Sequence, residues 1–341
     1  MVNRECVIET LKFKQSERLP YAISLTWQMY EKMAADKKGF EYLENLNNYI
    51  ATAPLNSPQK EIDGQPGFFV DEFGVVWNKT GADKDIGVIE GTLISDIETL
   101  DNYDFPEVDE KFIRNSCKKL EDYGNENFKV VDLGFSMFER AWTLCSMEDL
   151  LCYMITNPDS VHKLMQKITD YNLKKLDIAL EYDFDCVLFG DDWGQQKGLI
   201  MGPAHWREFI KPYLKQMYDR VKAKNRYVAQ HSCGDIHEIF DDVIEIGLNI
   251  YQTFQPEIYD INIYKPILDN RLTIWGGIST QVDLPEKTAS EITEITKKTI
   301  DVMWQNGGYI AAPTHSVPFD VPVENMIAMI DVFENYNSWV T

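Results

Sequence analysis

Short apolar runs, each ending in a glycine or polar tip and each followed by a helical pattern, recur along this chain. They are 19-LPYAISL-25, 129-KVVDLGF-135, 185-DCVLFGDD-192, 226-RYVAQHS-232, 248-LNIYQTF-254, 272-LTIWGGIS-279 and 309-YIAAPTH-315. The stretches between them are amphipathic. In 158-PDSVHKLMQKITDYNLKKL-176, Val161, Leu164, Met165 and Ile168 fall on one helical face. In 288-TASEITEITKKTIDVMWQNGG-308, Thr288 and Glu291 have the spacing of a capping box, and Gly307–Gly308 is the expected stop. Strands alternating with helices of this length give a parallel sheet covered by helices.

Seven runs predict a (β/α)8 TIM-type barrel, with the eighth strand absent or hidden in the less regular N-terminal third. The rival, an open doubly wound sheet, usually shows a Gly-rich phosphate turn, and this chain has none. The segment 67-GFFVDEFGVVWNKT-80, followed by 87-GVIEGTLIS-95, alternates as a β-hairpin does. It reads as an insertion between the first and second barrel strands. At 341 residues the chain is long for one ordinary domain but within the range of such a barrel, so residues 1–341 are expected to form a single barrel domain.

Charge narrows the function. Acidic residues number 55 against 33 basic ones, a formal net charge of −22. Nucleic acid and anionic membrane surfaces need a basic footprint, so neither is an expected partner. A polyanionic small substrate is disfavoured for the same reason. No run approaches the roughly 18 apolar residues of a membrane span, and MVNRECVIETLKFKQ has no signal-peptide core. The six cysteines lack framework spacing and are expected to be reduced. These features point to a soluble, cytoplasmic protein.

Barrel enzymes place their chemistry at the C-terminal ends of the strands. Those ends here carry Trp27, Phe135, Asp191, Asp192, His231, Cys233, Gln255, Glu257 and His315. Tetrahedral zinc takes Cys, His and carboxylate ligands and, in catalytic sites, keeps one position for water or substrate. His231, Cys233 and His315 can supply three ligands from two strands, with Glu257 as a displaceable fourth. His162, His205 and His237 lie on predicted helices and read as surface or capping residues; Cys186 reads as core. Asp191–Asp192 sits where a barrel enzyme puts an acid or a substrate anchor, and equally where a helix needs an N-cap. Trp27, Phe135 and Trp193 are candidates for an aromatic wall, and Gln255 for a substrate contact.

The stretches 16-SERLPYAIS, 70-VDEFGVVW, 190-GDDWGQQKGLIMGPAHWREFIKPYLK, 230-QHSCGDI, 252-QTFQPE, 275-WGGISTQVDLP and 307-GGYIAAPTHSVPFDVPVEN carry a resemblance that runs almost end to end. The chain resembles the uroporphyrinogen decarboxylase superfamily, and within it the corrinoid-dependent methyltransferase branch. The resemblance implies a distorted (β/α)8 barrel and a zinc motif of His-x-Cys plus a later ligand. In the coenzyme M enzymes of that branch the later ligand is cysteine; His315 stands there in this chain. True decarboxylases of the superfamily use arginines near the N-terminus, and 19-LPYAISLTWQMYEKM-33 has none. Two neutral imidazoles and one thiolate leave a zinc ion at about +1, which makes it a better Lewis acid.

The expected activity is therefore removal of a methyl group from a methoxylated, aromatic small-molecule donor. The acceptor would be the Co(I) corrinoid (cobalamin) of a separate carrier protein, since the chain has no D-x-H-x-x-G-like corrinoid segment. On this reading Asp191 or Asp192 orients the donor or protonates its leaving oxygen. The alternatives are transfer from methylcobamide to a thiol or folate, uroporphyrinogen decarboxylation, and a non-catalytic corrinoid-binding barrel.

Overall fold

Successive side chains of a strand point to opposite faces, so a strand covered by helices is apolar on both. The computed structural model describes residues 1–81 and 87–339, and in it six of the seven apolar runs are strands of one parallel sheet. The sheet comprises β1 (Ile50–Pro54), β2 (Phe128–Phe135), β3 (Cys186–Gly190) and β4 (Tyr227–His231). It continues with β5 (Ile250–Phe254), β6 (Thr273–Ile278) and β7 (Tyr309–Pro313). Strand order follows chain order, each strand parallel to the next. Sequential parallel strands with helical crossovers form a TIM-type α/β barrel; a doubly wound sheet would reverse its order at a switch point.

The run 19–25 departs from expectation: it is extended but makes only single bridges, from Tyr21 to Ala311 and from Leu25 to Val317. The strand after it, β1, is the one hidden in the N-terminal third. Its sequence, IATAP, is too poor in large apolar residues to stand out. On its other side the run is held to the approach to β1. The Tyr49 N–H donates to the Tyr21 carbonyl. Asn48 accepts from the Ile23 N–H and donates to the Ile23 carbonyl, at 2.8 and 3.0 Å. Residues 19–25 thus fill the eighth position, between β7 and β1.

The insertion is larger than a hairpin. Lys60–Glu61, Phe68–Val70, Val76–Asn78 and Val88–Ile89 form a four-stranded antiparallel sheet between β1 and β2. Its central turn is built by Asp71, whose carboxylate accepts the N–H groups of Phe73 and Val75.

The helices follow their patterns. Val161, Leu164, Met165 and Ile168 are buried on helix Pro158–Ala179. The Thr288–Glu291 capping box opens helix Ala289–Met303, which stops before Gly307. Gly307 serves a different need: at φ +74° it packs on the Lys14 carbonyl, where a Cβ would approach to 2.5 Å. Among the described residues no helix is long and apolar enough to cross a membrane.

Candidate metal centre and its cavity

His231 ends β4, and the chain then turns sharply at Gly234, whose φ is +78°. Gly234 packs against Gly194, so closely that a Cβ on it would sit 2.3 Å from the Gly194 carbonyl carbon. Two glycines back to back return the Cys233 side chain to the barrel mouth beside His231. Cys233 Sγ lies 3.5 Å from His231 Nε2. His315, two residues beyond β7, brings its ring centroid to 5.5 Å from that of His231. One ligand atom from each of the three residues lies within 4.8 Å of the others.

The 3.5 Å between Cys233 Sγ and His231 Nε2 matches two ligands of a tetrahedral zinc ion. Bond lengths of about 2.05 Å to nitrogen and about 2.3 Å to sulfur put tetrahedral N and S ligands about 3.6 Å apart. Gln252 Oε1 lies 2.8 Å from His231 Nδ1. With the proton on Nδ1 and donated to Gln252, the Nε2 lone pair faces Cys233, as ligating histidines require. Burial, reinforced by the Asp192 charge, pushes the Cys233 thiol up to about 12. The sulfur therefore carries its proton near neutrality until a cation displaces it.

A cavity of about 680 Å³ opens beside this cluster. His231, Gln252 and His315 line it, as do Asp132, Phe135, Glu139, Trp142, Asp192 and Trp275. Asp192 Oδ1 lies 3.6 Å from His231 Nε2 and accepts the Cys233 N–H at 2.7 Å. Burial raises the carboxyls of Glu139 and Asp132, most strongly at Glu139, where the charges of Asp192 and Asp191 add to it. Among the described lining residues there is no lysine or arginine.

The family model of uroporphyrinogen decarboxylase (URO-D) matches residues 81–336. The chain belongs to the uroporphyrinogen decarboxylase family. Its curated relatives are distant. The uroporphyrinogen decarboxylase of Chlorobaculum tepidum is 25% identical over 66% of this chain and 66% of its own length. That of Coxiella burnetii is 24% identical over 53% of this chain and 48% of its own length. The chain thus spans about half to two thirds of the relatives it matches. In fold it is similar to a methyltransferase from Methanosarcina mazei, with a TM-score of 0.72 at 16% identity over 99% of both chains.

Within this uroporphyrinogen decarboxylase barrel, the residues expected at the site divide. His231, Cys233, His315, Asp192 and Phe135 converge on the cavity mouth or its wall. Asp191 does not: fully buried, it accepts the N–H groups of Phe138 and Glu139 and the Trp193 indole N–H, at 2.6–2.9 Å. It is the N-terminal cap of helix Phe138–Cys145, and burial lifts its carboxyl to about 6 against those three donors. Trp193 is buried with it, edge-on to Trp206, and so is no cavity wall. Trp27 starts helix Trp27–Ala35 and is 66% exposed, stacked on Tyr30. Gln255 accepts the Gly234 N–H and supports the turn rather than a ligand. Glu257 stays outside the ligand cluster; it is exposed and accepts the Ser279 hydroxyl. His162, His205 and His237 are also remote, His237 being paired with Asp235, while Cys186 is core.

Sequence reading missed Asp132, Glu139, Trp142, Gln252 and Trp275. Asp132 and Gln252 had a signal, being polar residues inside otherwise apolar strands. Glu139 had none, because its place depends on how Asp191 turns the helix.

Proposed function

We propose that this protein is a zinc-dependent methyltransferase, moving a methyl group from a methoxylated small molecule to the corrinoid of a separate carrier protein. The observation that carries the reading is the His231–Cys233–His315 cluster on a cavity whose described lining has no lysine or arginine. His231, Cys233 and His315 would hold the ion. Zinc bound there supplies Lewis acidity toward the donor's ether oxygen. Gln252 fixes the His231 ring. Asp192 is the carboxylate beside the cluster and the group placed to hold or pass a proton at that oxygen. Phe135, Trp142 and Trp275 give the donor apolar walls and exclude water from it. A cavity of about 680 Å³ suits a drug-sized donor; the carrier would present its corrinoid across the mouth. The similarity in fold to a methyltransferase over nearly the whole chain supports this reading.

The names of the curated relatives favour a second reading, uroporphyrinogen decarboxylation. That substrate bears many carboxylates, and burying them without cationic partners is costly. Three acidic residues and no lysine or arginine on the described cavity wall weigh against it. The test combines metal analysis with single-turnover methyl transfer from methoxylated aromatics to a reduced corrinoid protein. About one zinc per chain, lost in Cys233→Ala together with transfer, is expected. A chain without stoichiometric zinc that decarboxylates uroporphyrinogen would replace this reading with the second.

A further inference from the structure

Asp132 and Glu139 are costly residues to place on a half-enclosed wall. Burial of a carboxylate without a cationic partner disfavours its charged form. Neither residue forms an ion pair with a lysine or arginine among the described residues, although three other buried or half-buried carboxylates do. Asp71 is paired with Arg140, Asp185 with Arg4, and Glu72 with Lys175. The backbone satisfies Asp132 only in part. Asp132 accepts the Gly134 N–H at 2.8 Å. Asp132 and Glu139 both line the same cavity as His231 and His315, two of the candidate metal ligands. The remaining wall is aromatic, with Phe135, Trp142 and Trp275. Carboxylates among aromatic rings, with no lysine or arginine on the described wall, are the chemistry that selects a positively charged nitrogen: the carboxylates attract it and the ring faces add cation–π contact.

We propose that the cavity selects an organic cation, so that the methyl donor carries an ammonium nitrogen held by Asp132 and Glu139 beside the rings of Phe135, Trp142 and Trp275. The proposal rests on the methyltransferase reading only for the word donor; the cation site itself does not need it. A primary or a quaternary ammonium would meet the same groups, the first through N–H donors to the carboxylates and the second through the rings. An anionic donor would instead add a negative charge to a wall that already holds three carboxyl groups.

The decisive measurement is calorimetric binding to the full-length, zinc-loaded protein of benzylamine, benzyltrimethylammonium and their neutral isostere benzyl alcohol. At least one cation should bind about tenfold tighter than the alcohol or better, as expected for a charge-assisted contact. Glu139→Gln and Asp132→Asn should each lower cation affinity by a larger factor than alcohol affinity, so that the preference shrinks. Equal affinities for cation and alcohol in the unaltered protein, which needs no variant to fold, overturn the proposal. So does a preference that survives both substitutions. Methyl transfer from 4-methoxybenzylamine and 4-methoxybenzyl alcohol to reduced corrinoid protein is read separately. A cation preference in binding with no transfer from either compound leaves the cation site standing and removes the methyltransferase reading. Transfer from both with no preference does the reverse.

Discussion

Cys233 is the residue at which the proposed metal binding and protonation meet. Burial holds its thiol up at about 12, so a metal ion that takes the sulfur must first displace a proton. Below that value each rise of one pH unit multiplies the thiolate fraction tenfold. The apparent zinc affinity should therefore rise about tenfold per unit between about pH 8 and pH 10. Competition with a chromophoric chelator gives the slope, and Cys233→Ala should remove it. A flat profile in the unaltered protein would show that Cys233 is not a ligand. The neighbouring aspartates make a second contrast. Asp191 caps a helix and holds Trp193, so Asp191→Ala should lower unfolding stability by about 3 kcal/mol in denaturant titrations. Asp192→Asn keeps an acceptor for the Cys233 N–H and should stay within about 1 kcal/mol of the unaltered chain, yet slow the proposed methyl transfer. If instead Asp192→Asn is the destabilised variant and Asp191→Ala the inactive but stable one, the roles assigned to the doublet are reversed. The sequence showed both aspartates at a strand tip but not which one turned inward. That choice depends on helix Phe138–Cys145 offering two N–H groups to the first of them.

Between the strands, the four-stranded insertion is fixed to the barrel by two buried ion pairs. Arg140 Nη1 meets Asp71 at 2.7 Å with both side chains almost fully buried, and its guanidinium lies 4.0 Å from the Phe73 ring centre. Lys175 meets Glu72 and also donates to Asn56 at 2.7 Å, just beyond β1. The alternation of 67–80 made the hairpin legible, because pleat and turn are local. Its anchors were not legible, since Asp71 and Arg140 lie far apart in sequence and a charge in either place reads as surface. Buried pairs are costly to break one-sidedly. Arg140→Met should destabilise by about 3–5 kcal/mol, because it leaves the Asp71 carboxylate without its cation. Asp71→Asn in the same chain should recover part of that loss in equilibrium unfolding. Additive losses in the double variant would mean that the two groups do not act as a pair. Because Arg140 follows Glu139 on the same helix, slackening this anchor should also weaken ammonium binding in the cavity.

Around the barrel, seven strands pair in parallel ladders and the eighth position is filled by a segment that barely pairs. Apolar periodicity revealed the strands from β2 to β7, where large β-branched and aromatic residues are buried on both faces. It could not reveal β1, made of small residues, and it overstated 19–25, which has the composition of a strand without its ladder. What substitutes for the missing rungs is Asn48. Its amide accepts the Ile23 N–H and donates to the Ile23 carbonyl, the two bonds a neighbouring strand would have made. Asn48, Ala22, Ile23 and Ser24 also line the cavity, so the join that closes the barrel is part of the site. Asn48→Ala would leave two backbone groups of a buried residue without those partners, a loss of about 2 kcal/mol. That loss should be local, because the other strands keep their ladders. Hydrogen exchange should quicken at Ile23 and at Tyr49, whose N–H is bonded to Tyr21, while amides of β3 and β4 stay protected. Ligand affinity should fall with it, since the loosened segment forms one side of the cavity. Unchanged exchange at Ile23 and Tyr49 would mean that the bridges to β7 alone hold the segment, and that Asn48 does not close the barrel.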